Sequence, residues 1–210
     1  MKTKLFFILS LLCALHASAQ TVFRPVSSVE DFKKQQRNAS SSINSLKSHF
    51  TQTKYLEILN EKVVSEGMFF YKKDHKICMD YLTPSNYQVI INKDKIKIIS
   101  GEKVNVYAVG ENKMIAQMNL LMTACMTGNL NALSPDYKLT FSESDTQYRI
   151  IILPIAVKKS YIKSMEVLLD KKDFSVQQIR MIESSSNDST TYAFSDKKKN
   201  VPIADDKFNI

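Results

Sequence analysis

Apolar and polar residues follow two different periods along this chain. Val29, Phe32, Gln36, Ala39 and Ile43 fall at three- and four-residue steps, which predicts a helix from Ser27 to about Leu46 with Ser27 or Ser28 as N-cap. Its face is only weakly apolar, so the helix is expected to lie on a sheet rather than form the centre of a core. Beyond it the period becomes two. Ile77, Met79 and Tyr81 alternate with Lys76, Cys78 and Asp80, and Ile96 and Ile98 with Lys95 and Lys97. Val104 and Val106 follow Lys103 and Asn105, and Tyr137, Leu139 and Phe141 alternate with Lys138 and Thr140. One apolar and one wet face per strand is the pattern of an antiparallel sheet with a single buried face.

Turn chemistry divides the runs at hairpin spacing. Thr83-Pro84-Ser85-Asn86, Asn92-Lys93-Asp94, Ser100-Gly101-Glu102, Asp170-Lys171-Lys172-Asp173 and Ser184 to Asp188 all separate apolar stretches. About ten or eleven strands are predicted, as one long, strongly coiled sheet. Asn112 to Met126 interrupts the meander. Met114, Met118, Met122 and Met126 recur there at four-residue steps beside Ile115, Leu121 and Cys125, with Gly128 placed as a C-cap. Unbranched methionines can repack around irregular ligands, although the same ridge also fits an ordinary core helix. In both cases the helix is expected on the concave side of the sheet.

The first residues read differently. Lys2 and Lys4 precede an apolar run from Leu5 to Leu15 that is too short to span a bilayer, and Ala17-Ser18-Ala19 supplies small residues for cleavage. This predicts an export signal over residues 1–19 and one domain over residues 20–210. Cys13 lies inside the apolar run without the small residues of an acylation site. Cys78 and Cys125 remain, on a strand and a helix; they read as two unpaired, buried thiols, with pairing left open by the sequence. The net charge of +8 is spread along the chain apart from Lys197-Lys198-Lys199. That reads as a solvated basic surface rather than a nucleic-acid interface.

Sequence signs of catalysis are lacking. His49 and His75 sit in no metal-ligand spacing, there is no GxSxG elbow, and four glycines in the whole chain form no phosphate loop. The expectation is a binding protein with no catalytic residues, no metal and no cofactor.

Four segments resemble the LolA family of outer-membrane lipoprotein carriers. Leu46-Lys47-Ser48-His49-Phe50-Thr51-Gln52-Thr53 resembles the phenylalanine-any-glutamine segment that opens the family's first strand after its N-terminal helix. Ser65 to Lys73 is similar to the family's glycine, apolar residues and basic pair, and Ile77 to Pro84 to its aromatic strand ending in proline. Asn200-Val201-Pro202-Ile203-Ala204-Asp205-Asp206-Lys207-Phe208-Asn209-Ile210 looks like the C-terminal segment. Two departures stand out: Lys73-Asp74 replaces an arginine-proline pair, and Met79 replaces a tryptophan. In the family, that arginine latches a helical lid by hydrogen bonds to backbone carbonyls. A lysine retains the charge without the planar fork, so the resemblance implies Lys73 as a looser latch.

The implied fold is mainly β with helices, an incomplete, half-open antiparallel β-barrel of about eleven strands with a helical lid over its concave face. Strand parity, combined with the family's register, puts Phe69, Tyr71, Ile77, Met79 and Tyr81 on the cavity wall as lipid-binding residues, with Met114, Met118 and Met122 on the lid. The implied function is a periplasmic carrier, expected as a monomer. It would take acylated lipoproteins from an ATP-driven inner-membrane extractor to an outer-membrane acceptor. The alternative of a different class is an envelope sensor or structural interaction protein with its interior filled by its own side chains.

Overall fold

The computed structural model describes residues 21–111 and 113–210. The export signal, its cleavage site and Asn112 lie outside the described residues. In chain order the elements are β1 (Arg24–Pro25), α1 (Val29–Ser41), β2 (Ser45–Leu56), β3 (Glu61–Lys72), β4 (Lys76–Thr83), β5 (Tyr87–Asn92), β6 (Lys95–Ser100) and β7 (Lys103–Ala108). They continue with α2 (Lys113–Thr127), β8 (Tyr137–Glu143), β9 (Gln147–Pro154), β10 (Ile162–Asp170), β11 (Val176–Glu183) and β12 (Ser189–Lys199). The strands form one twelve-stranded antiparallel sheet in the order β1-β8-β9-β10-β11-β12-β2-β3-β4-β5-β6-β7. Its two outer strands, β1 and β7, do not pair with each other, so the barrel stays open, as expected. β7 and β8 lie near opposite ends of this order. The connection between them therefore has to cross the open side, and α2 makes that crossing.

Local chemistry sets the element boundaries. Ser28 caps α1, its hydroxyl accepting from the Asp31 amide at 3.2 Å, and Glu30 and Asp31 place negative charge at the positive end of the helix. At the other end the Ser41 and Ser42 hydroxyls each donate to a carbonyl three residues back. These bonds offer the backbone an alternative to further helix. The helix thus ends at Ser41 rather than near Leu46, and Leu46 is already the second residue of β2. The β3–β4 hairpin closes over three residues, Lys73 to His75, with positive φ values of 68° at Asp74 and 61° at His75.

The main core fills the concave face. Ile150 and Ile152 of β9, Met165, Val167 and Leu169 of β10, and Ile179 and Met181 of β11 are buried there. α1 lies over this half of the sheet. Phe32 inserts among Phe141, Tyr148 and Phe174 with ring centroids 5.2, 5.0 and 5.8 Å away. A helix with little apolar surface is thereby anchored by one aromatic ring, whose burial is worth about 1.5–3 kcal/mol.

Two expectations about strand faces are corrected. Val104 and Val106 are 54% and 51% exposed, because β7 is an outer strand with no neighbour beyond it to complete a buried face. The face of β4 opposite Ile77, Met79 and Tyr81 is not wet either. Cys78 is fully buried there with Ile90 and Phe208. The C-terminal segment covers it, held by Lys72 and Lys76 on the Asp205 carboxylate at 3.0 Å each, by Lys207 on Asp80, and by Asn92 Nδ2 donating to the Phe208 carbonyl at 2.9 Å.

Candidate ligand-binding site

Between α2 and the β4–β6 end of the sheet the packing is incomplete, leaving a cavity of about 220 Å³. Its wall is built from alternate residues of paired strands: Ile77, Met79 and Tyr81 on β4, Val89 and Ile91 on β5, Ile96 on β6, and Tyr192 on β12. The register pairs Ile77 with Ile91, Met79 with Val89, and Ile91 with Ile96, so these side chains share one face. The roof is Ile115, Met118, Asn119 and Met122 of α2. Those positions fall at steps of three, one and three residues, which is one helical face.

Five of the eight side chains expected to bind lipid therefore come together on the cavity: Ile77, Met79, Tyr81, Met118 and Met122. The other three do not line it. Phe69 faces the concave side but is fully buried, edge-on to Phe194 at 5.3 Å. Tyr71 is packed into the same core, where burial above all, and then the Asp74 carboxylate, raises its pKa. Met114 sits 47% exposed near the start of α2. Sequence reasoning missed Val89, Ile91, Ile96, Ile115, Asn119 and Tyr192 as site residues. The β5 and β6 residues and Ile115 could have been found from period and parity, whereas Tyr192 arrives only through the β12–β2 pairing.

Aromatic packing fixes the inner end of the wall. Gly67 on β3 faces Tyr81 on β4, and a Cβ there would lie 2.0 Å from the Asp80 carbonyl oxygen and 2.8 Å from the Phe50 ring. Only glycine leaves space for this approach. The Phe50 ring then stands edge-on to Tyr81 with centroids 4.9 Å apart, and Tyr87 stacks on Tyr81 at 4.1 Å. Burial, aided by the neighbouring Tyr192 and Tyr87 phenols, drives the Tyr81 pKa upward, and burial raises that of Tyr192. Both hydroxyls thus stay protonated and neutral. Gln52 Nε2, directly opposite on β2, donates to the Tyr192 oxygen at 3.0 Å.

The lid is tied down at its edges. Lys73 Nζ donates to the Ser41 carbonyl at 3.2 Å, at the last turn of α1, so the side chain expected as a latch does meet a backbone carbonyl of a covering helix. Asn200 grips the same α1–β2 connection twice, accepting from the Asn44 amide at 2.8 Å and donating to the Ser42 carbonyl at 3.0 Å. On α2, Gln117 is clasped by three bonds. Its Nε2 donates to the Tyr137 hydroxyl at 2.7 Å and to Ser160 Oγ at 2.8 Å, and its Oε1 accepts from the Tyr161 amide at 2.9 Å. Where the two helices meet, Gly128 has φ +70° and lies 3.1–3.2 Å, measured from its would-be Cβ, from the backbone of Gln36 and Arg37. A side chain there would push α1 and α2 apart.

The two thiols are free and buried. Burial lifts the Cys125 pKa to about 12, and burial with the Asp80 carboxylate raises that of Cys78, so neither forms a thiolate nucleophile near neutrality. Among the described residues no group of three or more His, Cys, Asp or Glu side chains is placed to hold a metal ion, and no helix is long and apolar enough to cross a membrane.

Comparison with solved structures shows the same fold at low sequence identity. A DUF1329 family protein from Desulfovibrio piger superposes with a TM-score of 0.52 at 11% identity, covering 86% of this chain and 97% of that one. An uncharacterized conserved protein from Thermus thermophilus has a TM-score of 0.50 at 7% identity, over 86% and 93% of the two chains. MucB has a TM-score of 0.51 at 13% identity, over 89% of this chain but only 64% of its own. No curated protein matches the sequence. The family model for the outer membrane lipoprotein carrier protein LolA matches residues 41–210, from the end of α1 through the open sheet, its lid helix and the C-terminal segment, and the chain therefore belongs to the LolA family.

Proposed function

We propose that this protein is a non-enzymatic periplasmic carrier that takes up the acyl chains of lipoproteins beneath α2 and escorts them from the inner to the outer membrane. The observation that supports it most is the cavity itself, almost wholly apolar and roofed by methionines of a crossing helix rather than closed by a packed core. An acyl chain withdrawn from water into such a site gains about 0.8 kcal/mol per CH₂, on the order of 10 kcal/mol for a long chain. Against a bilayer that gain nearly cancels, so cargo can be handed on without chemistry. The about 220 Å³ present is smaller than the roughly 300–1,000 Å³ of drug-sized sites. Loading therefore requires α2 to swing outward. Residues 1–19 would direct export and be removed, leaving residues 20–210 as one domain. An ATP-driven extractor in the inner membrane and an acceptor at the outer membrane complete the route, with no nucleic acid, metal or cofactor involved and the protein acting as a monomer.

Binding of an acylated peptide by purified protein tests this reading. Ile77→Glu and Met118→Glu put a charge into the wall and the roof, and each is expected to abolish uptake while the circular dichroism of the sheet is retained. Undiminished uptake by both folded variants contradicts the site. A second reading is an envelope sensor or structural interaction protein, favoured by the filled half of the concave face under α1 and by the fold shared with MucB. Complete failure to bind acylated ligand, together with stable capture of a non-acylated envelope protein, would support it.

A further inference from the structure

Apolar walls would hold any long hydrocarbon, but this cavity's lining also includes three neutral polar side chains, Tyr81 and Tyr192 from the sheet and Asn119 from the lid. The Tyr81 hydroxyl is engaged with those of Tyr192 and Tyr87. The Tyr192 oxygen also accepts from Gln52, which leaves its own proton to be given elsewhere. Asn119 uses its Oδ1 to accept from Thr123 Oγ1 at 3.4 Å, a bond that does not engage its amide hydrogens. The lining therefore offers hydrogen bonds without charge. No Lys, Arg or His is among the described residues that line the cavity.

These facts separate two kinds of acyl ligand. A carboxylate drawn into the cavity would surrender its hydration with no cation to replace it, an expensive transfer. An ester or amide carbonyl carries no net charge and needs only one or two donated hydrogen bonds, which the lining supplies. Resting on the carrier reading above, we propose that the cavity selects an uncharged acyl headgroup, an ester or amide carbonyl held by Tyr192 and Asn119 with Tyr81 positioning the Tyr192 hydroxyl, over a free fatty-acid carboxylate of the same chain length.

Competition against a polarity-sensitive fluorescent acyl probe compares monolauroylglycerol with laurate at about pH 8, where laurate is ionised. The ester is expected to bind at least about tenfold more tightly, and each lost hydrogen bond to narrow that gap by about two- to tenfold. Tyr81→Phe with Tyr192→Phe removes the hydroxyls from the wall, and Asn119→Leu removes the amide from the lid while leaving the sheet unaltered. Equal affinities in the unmodified protein, or tighter laurate binding, overturn the proposal and leave the carrier reading intact. An ester preference unchanged in both variants overturns the assignment to these residues. Displacement of the probe by neither ligand overturns the carrier reading, and the proposal with it.

Discussion

Gln36 of α1 donates from Nε2 to the Cys125 carbonyl of α2 at 3.4 Å, yet its own Oε1 is buried without a protein partner among the described residues. The contact between the two covering helices thus includes one long hydrogen bond and one unsatisfied acceptor. An orphaned buried acceptor costs about 1–3 kcal/mol, while a net hydrogen bond returns about 0.5–1.5 kcal/mol. The junction is therefore poised to part. Gln36→Leu keeps similar volume and removes the side-chain orphan, but it leaves the Cys125 carbonyl without this donor. The two effects are of similar size, about 1–3 kcal/mol each, so the thermal midpoint is expected to move by less than about 4 °C. A larger drop would mean that Gln36 is satisfied and structural.

Lys73 supplies a looser hold at the C-terminal end of α1. Its exposed bond to the Ser41 carbonyl is worth at most about 1 kcal/mol. Lys73→Ala is expected to leave the melting temperature nearly unchanged and to speed ligand release, whereas Lys73→Arg restores a forked donor and slows it. Stopped-flow release of a fluorescent acyl ligand separates the two. Identical rates in all three proteins would deprive Lys73 of a latch role.

Gly67 is a rigid requirement. A Cβ 2.0 Å from the Asp80 carbonyl cannot be accommodated without shifting β3 away from β4 or displacing the Phe50 ring. Gly67→Ala is expected to destabilise the protein by about 2–4 kcal/mol in urea unfolding, within the range of severe core changes. A loss under about 0.5 kcal/mol would contradict the packing of Phe50 against Tyr81.

Acid should weaken the turn between β10 and β11. Partial burial opposes the charge on Asp173, but the Lys199 ammonium at 2.7 Å and the Ser175 hydrogen bonds outweigh it and hold the carboxyl at about 2. The folded value lies below the roughly 3.9 of an unfolded aspartate. The stabilisation is thus fully present above about pH 4 and is lost as pH falls towards about 2. The pair is partly exposed, so the effect is below about 1 kcal/mol. Asp173→Asn is expected to lower stability at neutral pH and to flatten its fall between about pH 4 and 2; parallel curves for the two proteins would contradict this.

Much of the fold was legible because parity and turn chemistry are local. Ile77, Met79 and Tyr81 announce a common face, and that face is the cavity wall. Parity gives a face but not a depth. Phe69 and Tyr71 were assigned to the correct side, yet they lie beneath packed neighbours in the middle of the sheet. The methionine ridge misled in a related way. Residues four apart on a helix drift by about 40° per step, so Met118 and Met122 reach the cavity while Met114 does not; Ile115 and Asn119 complete the true lining face. Val104 and Val106 read as half-buried because alternation carries no information about whether a next strand exists. Tyr192 and the cover that Phe208 places over the outer face of β4 depend on contacts between segments more than a hundred residues apart, and no local pattern encodes them.

Carriage in this protein turns on whether the space beneath α2 holds acyl cargo. Native mass spectrometry of the protein isolated from its own envelope fraction, followed by organic extraction, tests it most directly. A bound species that carries an acyl chain is expected, and Met118→Glu is expected to lose it. Protein that emerges ligand-free and also refuses added acylated peptide would contradict it.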